Sequence, residues 1–166
     1  MSHVFRTAMR IPHPVGGVFH FFAEAANLQR ITPPALRFHI VTPEPIHMAE
    51  GARIDYRLML RGIPFRWSTR ISLWDPPRCF VDDQESGPYR QWTHTHRFTA
   101  CGGETDMTDE VVYRLPLWPV GELAHPLVRR EIGRIFAFRA HAIRVIFGTG
   151  EPFGFSRTPA VRDGVE

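Results

Sequence analysis

Hydrophobic and polar residues alternate with period two along most of this chain and switch to a helical period in two places. His3 to Ile11 sets Val and Phe against Arg and Thr, which predicts an opening strand. Pro12-His13-Pro14 breaks it, and Pro14 suits the first turn of a helix carrying Val18, Phe19, Phe22 and Ala26 on one face. Gly16 and Gly17 each weaken that helix by ~1 kcal/mol relative to alanine, so packing has to hold it. Asn27 to Pro34 predicts a second short helical turn, closed by Pro33-Pro34, and Leu36 to Thr42 a short strand.

Period two then dominates. In Ala52 to Leu60, Ile54, Tyr56, Leu58 and Leu60 share one face, with Arg53, Asp55, Arg57 and Met59 on the other. In Pro64 to Trp74, Phe65, Trp67, Thr69, Ile71 and Leu73 oppose Arg66, Ser68, Arg70 and Ser72, with Gly62-Ile63 as the hairpin turn between the two strands. Further strands are predicted over Arg78 to Gln84, Tyr89 to Ala100 and Thr105 to Leu115, punctuated by Asp75-Pro76-Pro77, Ser86-Gly87-Pro88 and Gly102-Gly103. From Glu122 to Phe147 the helical period returns, with Val128, Ile132, Ile135, Phe136, Ile143 and Ile146 in one stripe and Gly148 as the stop. The expected class is α+β: a curved antiparallel sheet, buried on one side, wrapped around a long C-terminal helix, with two short helices after strand 1. Residues 1–148 are expected to form one ligand-binding domain, and 149–166, rich in Pro, Gly and charge without periodicity, a mobile tail.

Composition changes this picture little. With 166 residues, 43% hydrophobic and 22% charged, the chain has the size and make-up of one globular domain. The opening MSHVFRTAMR has no apolar leader segment, and no run approaches the ~18 apolar residues of a membrane span. The cytoplasm is therefore the expected compartment, without integral membrane association, and Cys79 and Cys101 are expected to be reduced thiols. Net charge is +3, yet every basic residue is arginine and they are scattered through strands and the last helix. No basic run, helix-turn-helix or zinc-finger spacing accompanies them, so no nucleic-acid partner is expected.

The chemistry concentrates on two strands and the last helix. Trp92, His94, His96 and Phe98 share one strand face, and the two aromatics mark it as the buried one. Met107, Asp109, Val111, Tyr113 and Leu115 share the inner face of the next strand. Arg139 falls near the middle of the helical apolar stripe, where an unpaired charge would cost several kcal/mol, and Asp109 is the expected partner. The two histidines suit three roles: satisfied core residues, ligand contacts, or metal ligands, with Asp109, His47 or Tyr113 as the third donor. No His-Glu-x-x-His motif or cysteine cluster supports the last role, so neither metal nor cofactor is expected. The P-loop, the Rossmann glycine motif and the G-x-S-x-G elbow are all missing from the sequence, which argues against nucleotide chemistry.

The order of elements resembles the helix-grip fold of the SRPBCC, or START/Bet v 1-like, superfamily. Within it, Asn27-Leu28, Ile31-Thr32-Pro33-Pro34, Gly62-Ile63-Pro64 before Trp67, and Gly87-Pro88-Tyr89 leading into Trp92, His94, His96 and Phe98 are similar to a bacterial subfamily marked by a G-P-Y-x-x-W-x-H-x-H-x-F stretch. The resemblance spans roughly residues 3 to 148. Gly16-Gly17 departs from it, where relatives carry acidic or helix-favouring residues. The resemblance implies an internal cavity for lipid-, sterol-, polyketide- or hormone-like molecules. It also implies that some members are cyclases or aromatases and that others act as co-chaperones through the outer surface. Oxygenase members carry iron with a Rieske domain, whose cysteine–histidine motif this sequence lacks.

The expectation drawn from residues and resemblance together is binding of a small, largely apolar or amphipathic molecule. Trp67, Trp92, Phe98 and Phe136 would supply the apolar wall, and His94, His96, Tyr113 and Arg139 would orient a polar end, with Asp109 holding Arg139. A cyclase- or dehydratase-like enzyme could use the same residues, with one histidine as acid or base, although no catalytic residue is assigned. The third alternative is a protein-interaction module or homodimer, with Phe21 and Phe138 lying off their helices' apolar stripes as contact seeds.

Overall fold

A computed structural model describes residues 1–148. The 149–166 segment expected to be a tail lies outside the described residues. Seven strands form one antiparallel sheet: β1 (His3–Ile11), β2 (His39–Ile40), β3 (Arg53–Leu60), β4 (Ile63–Asp75), β5 (Cys79–Ser86), β6 (Gln91–Cys101) and β7 (Glu104–Arg114). Their order is β1-β7-β6-β5-β4-β3-β2. Strands β2 to β7 follow one another as neighbours, joined by tight turns or short loops except for the longer segment 41–52 between β2 and β3. The segment between β1 and β2 has to pass from one edge of the sheet to the other. It does so through α1 (Val15–Ala23), α2 (Asn27–Arg30) and a 3₁₀ turn at Pro34–Leu36. The long helix α3 (His125–Phe147) follows β7 after a second 3₁₀ turn at Val120–Ala124, and packs its stripe against the inner face of the sheet. This is the helix-grip arrangement. No helix among the described residues is long and apolar enough to cross a membrane.

Local sequence explains most of these elements. Gly102 and Gly103 both adopt positive φ and close the β6–β7 hairpin in two residues. The β3–β4 turn is made by Arg61 (φ 52°) and Gly62 (φ 82°) rather than by Gly62-Ile63, so Ile63 opens β4. Helix α1 is held by packing, as its glycines require: Val18 and Phe19 are buried, and Phe19 contacts Trp74, Phe80 and Phe98 at ring centroid distances of 5.2, 6.0 and 5.4 Å. Phe21 is buried as well, against Phe22 and Phe147, which removes it as a surface contact seed; Phe138 is half-buried. Along α3, Ile132, Phe136 and Ile143 are buried at 1%, 6% and 1% exposure, each stabilising the fold by about 1.5–3 kcal/mol. Cys79 and Cys101 are free thiols.

Two elements and the interior of β4 depart from the sequence pattern by more than a shift of one or two residues at a strand end. The strand expected over Leu36 to Thr42 shrinks to His39–Ile40, because Leu36 closes a 3₁₀ turn and Arg37 sits at φ 42°. Helix α3 starts at His125 rather than Glu122, whose carboxylate instead accepts a 2.7 Å hydrogen bond from His3. In β4 the alternation fails after Ile71. Ile71 pairs with Asp82 and Leu73 with Val81, so Ser72 is an extra residue and the face flips. Leu73 is consequently 42% exposed, and Trp74 turns inward onto Phe19 and Phe80.

Candidate functional site

Between the concave face of the sheet, α3 and the α1–α2 segment lies a cavity of about 180 Å³. Residues two apart on successive strands build its wall: Ile54, Tyr56 and Leu58 from β3, Trp67, Thr69 and Ile71 from β4, Phe80 and Asp82 from β5, and Trp92, His94 and His96 from β6. Helix α3 closes it with Ile132, Phe136 and Arg139. Most of the lining is aliphatic or aromatic, and the polar groups gather in the middle of the sheet.

That polar patch is a four-membered cluster on three adjacent strands. Asp82 on β5 lies directly across from His94 on β6, and His96 lies directly across from Asp109 on β7. The aligned hydrogen bonds run along the diagonals: His94 Nε2 donates to Asp109 Oδ1 at 3.0 Å, and His96 Nε2 donates to Asp82 Oδ2 at 3.0 Å. The remaining nitrogens also face carboxylates. His94 Nδ1 is 3.6 Å from Asp82 Oδ2, and His96 Nδ1 is 2.8 Å from Asp109 Oδ1 but out of line with it, so this buried nitrogen makes no hydrogen bond. The two rings sit 3.8 Å apart, with His96 stacked on Phe80 at 4.1 Å.

Burial and contact pull against each other in this cluster. Burial would raise the Asp109 carboxyl, but the contacts with His94 and His96 outweigh it and hold the group far below the usual carboxylate range. Asp82 is likewise held down: burial opposes, but both imidazoles and the Arg139 charge prevail. Burial and the neighbouring His96 depress His94 below its ordinary value. For His96 the contacts with Asp109 and Asp82 overcome burial and raise it. The cluster therefore favours a proton on His96 over one on His94.

Two further groups border the cavity. Thr69 Oγ1 accepts from Trp67 Nε1 at 3.0 Å and shares a 2.9 Å hydrogen bond with the Tyr56 hydroxyl. Burial, reinforced by Asp82, pushes the Tyr56 hydroxyl well above its ordinary value, so it stays protonated. Arg139 lies with its guanidinium carbon 5.0 Å from the centroid of the Phe136 ring, and its buried Nε has no hydrogen-bond partner.

Of the residues singled out in the sequence, Trp67, Trp92, His94, His96, Phe136 and Arg139 line the cavity. Phe98, Asp109 and Tyr113 are buried but are not part of that lining. Phe98 packs under α1, Tyr113 lies among Tyr89, Trp92 and His3, and Asp109 stands behind the histidines. The expected Arg139–Asp109 pair is replaced by the histidine contacts, because partners on neighbouring strands are closer than a helix across the interior. Sequence reasoning passed over Asp82, Tyr56 and Thr69 as polar site residues. The signal for Asp82 was available: Phe80 faces inward, and period two puts Asp82 on the same side.

Comparison with known proteins agrees with this architecture. The sequence profile of the family described as polyketide cyclase/dehydrase and lipid transport matches residues 11–138. Among solved structures, a START superfamily protein from Mycobacterium smegmatis superposes with a TM-score of 0.65 at 11% identity, covering 87% of this chain and 97% of that one. The protein TTHA0849 from Thermus thermophilus gives a TM-score of 0.64 at 19% identity, with 86% and 94% coverage. The ZhuI aromatase/cyclase from Streptomyces sp. R1128 gives 0.64 at 16% identity, with 88% and 96% coverage. At these identities the likeness speaks for the fold alone. No curated protein matches the chain.

Proposed function

The chain belongs to the polyketide cyclase/dehydrase and lipid transport family of SRPBCC proteins, and on that footing we propose that it binds a small, largely apolar molecule with one anionic or carbonyl end. The carrying observation is the Nε of Arg139, buried and without a partner in the wall of a largely apolar cavity. A buried guanidinium donor left unpaired is costly, and a carboxylate or carbonyl oxygen on the ligand would satisfy it. The cavity also limits size. An apolar cavity of about 150 Å³ holds benzene, so about 180 Å³ suits one ring with a short substituent rather than a sterol or a fused tetracycle.

The test is calorimetric titration with 3-phenylpropanoate and its methyl ester. Supporting results are saturable binding of one phenylpropanoate per chain and a loss of at least about tenfold in affinity, 1.4 kcal/mol, on Arg139→Leu. The ester should be less sensitive to that substitution. Absence of saturable binding to any aromatic or short-chain acid of this size would refute the reading.

A second reading, a cyclase- or dehydratase-like enzyme, is favoured by the two imidazoles side by side in the cavity wall, each hydrogen-bonded to a carboxylate. Such a pair could move a proton at an enolisable carbonyl held by Arg139. Turnover of a β-keto thioester that depends on both histidines would support it, and binding without turnover would leave the first reading alone.

A further inference from the structure

We propose that Asp82, His94 and His96 form a site for one divalent transition-metal ion of the zinc class, set in the cavity wall with its open side toward the cavity. This does not depend on the small-molecule reading, since the ion can be measured without any organic ligand.

Geometry is the first argument. The three side chains bring one donor atom each to within 4.8 Å of one another. Zinc bonds of about 2.0–2.1 Å in a tetrahedral arrangement separate neighbouring donors by about 3.3 Å. Asp82 Oδ2 lies 3.0 Å from His96 Nε2 and 3.6 Å from His94 Nδ1, on either side of that value. All three side chains project from neighbouring strands whose pairing fixes their positions, so rotations of the two rings that close a span of at most 4.8 Å would convert the present contacts into a coordination triangle.

What stands behind the rings is the second argument. A metal-ligating imidazole normally donates its other N–H to a carboxylate or carbonyl, which fixes the tautomer. Here both remaining nitrogens, His94 Nε2 and His96 Nδ1, face the same oxygen of Asp109, at 3.0 and 2.8 Å. One buried carboxylate thus serves both rings. His96 Nδ1, 96% buried with its residue and unpartnered, is the atom that a small rotation of the ring onto an ion would bring into line with Asp109.

Charge and donor type point the same way. Two carboxylates and two neutral imidazoles carry −2, which a divalent ion cancels. Two nitrogens and one carboxylate suit zinc or ferrous iron, whereas calcium and magnesium take oxygen ligands. Asp82, His94 and His96 all border the cavity and Asp109 does not, so any free coordination position faces the space where a ligand would lie. Arg139, whose charge also bears on Asp82, opposes the ion but favours an anionic fourth ligand beside it.

The experiment is titration of chelator-stripped protein with Zn²⁺ by calorimetry and with Co²⁺ by visible absorption. One ion per chain and d–d bands of a nitrogen–oxygen site are expected. Asp82→Asn and His94→Ala should abolish saturable binding, and Asp109→Asn should weaken it about 10- to 100-fold with the stoichiometry retained. His141→Ala, at an exposed position of α3, should change nothing. Because variants in a buried cluster can misfold, wild-type protein is also followed by long-range ¹H–¹⁵N spectra of its histidines. Zn²⁺ should shift the Nδ1 signal of one buried histidine and the Nε2 signal of the other. Absence of one-to-one binding, full binding by Asp82→Asn, or shifts confined to exposed histidines would overturn the proposal. Phenylpropanoate titration of the same stripped protein separates the two ideas, because an intact phenylpropanoate site without zinc affinity rejects the ion alone.

Discussion

Thr69→Val isolates one buried hydroxyl that organises the apolar end of the cavity wall. The substitution keeps the shape and the β-branched preference for a strand, so backbone propensity cancels. What it removes is Oγ1, which accepts from Trp67 Nε1 at 3.0 Å and bonds the Tyr56 hydroxyl at 2.9 Å. Thr69 and Trp67 are 4% and 8% exposed, so the indole N–H, a donor with no other role, loses its partner away from water. An orphaned buried donor costs about 1–3 kcal/mol. The lost Tyr56 bond adds about 0.5–1.5 kcal/mol, the lower end applying if cavity water takes its place. The expected destabilisation is therefore about 1.5–4.5 kcal/mol, or roughly 3–18 °C in Tm for a chain of this length. Thr69→Ser retains the oxygen and loses one methyl, about 1 kcal/mol. Urea unfolding followed by far-UV circular dichroism measures both, and is blind to the change in tryptophan count when Trp67→Phe is added. That addition should cost less in the Thr69→Val background than in wild type, since the orphan disappears with the indole. A Thr69→Val protein as stable as wild type, or a Thr69→Ser protein as unstable as Thr69→Val, would refute the hydrogen-bond argument.

Three further outcomes follow from the fold and its charges. Ile71→Ala should cost about 2–5 kcal/mol and Leu73→Ala under about 0.5 kcal/mol in the same unfolding assay, because the bulge at Ser72 exposes Leu73; equal losses would mean that the bulge is absent. In double-mutant cycles, Asp109→Asn should couple to His94→Ala by about 0.5–3 kcal/mol and more strongly than to Arg139→Leu, and the reverse order would restore the helix–strand pair. Glu122 is held below the usual glutamate range: burial opposes, but the hydrogen bond and charge of His3 and the terminal ammonium prevail. A depressed carboxyl contributes stability above its unfolded value of about 4.3, lost as pH falls through the folded one. Glu122→Gln should thus be less stable than wild type by about 1 kcal/mol at pH ~6, with the gap closing below pH ~4, and a gap that persists in acid would contradict the linkage.

The strands were legible because each buries one face, and a buried face writes its period into the chain. Trp92 and Phe98 marked the inner side of β6 and carried His94 and His96 inward with them. The stripe on α3 was legible for the same reason. Period alone cannot count an inserted residue, so Leu73 was assigned to the inner face although the bulge turns it out. Nor can it say which inward groups meet. Asp109 and Arg139 both point inside, but the choice of partner depends on strand register, which sets Asp109 across from His96 and only one diagonal from His94. The same register makes Asp82 a member of the cluster. A carboxylate beside a second aspartate, Asp83, reads as solvated charge until two imidazoles on the next strand are known to face it.

The cluster also weighs on what the fold is for. Burying two carboxylates and two imidazoles costs several kcal/mol per ion, and mutual attraction seldom does more than cancel that cost. Leucine or phenylalanine at the four positions would extend the apolar interior around Phe80, Phe98 and Phe136, a replacement that is often neutral or stabilising. The polar square therefore adds little that the fold needs. It sits in mid-strand, where hydrogen-bonded neighbours on both sides restrict its motion, and it opens toward the cavity through Asp82, His94 and His96 while Asp109 braces it from behind. A fold that required only a core would have filled this place with hydrocarbon. The arrangement is what the proposed readings require, donor atoms held toward the cavity by the sheet, with α3 contributing Arg139 and the shape of the space.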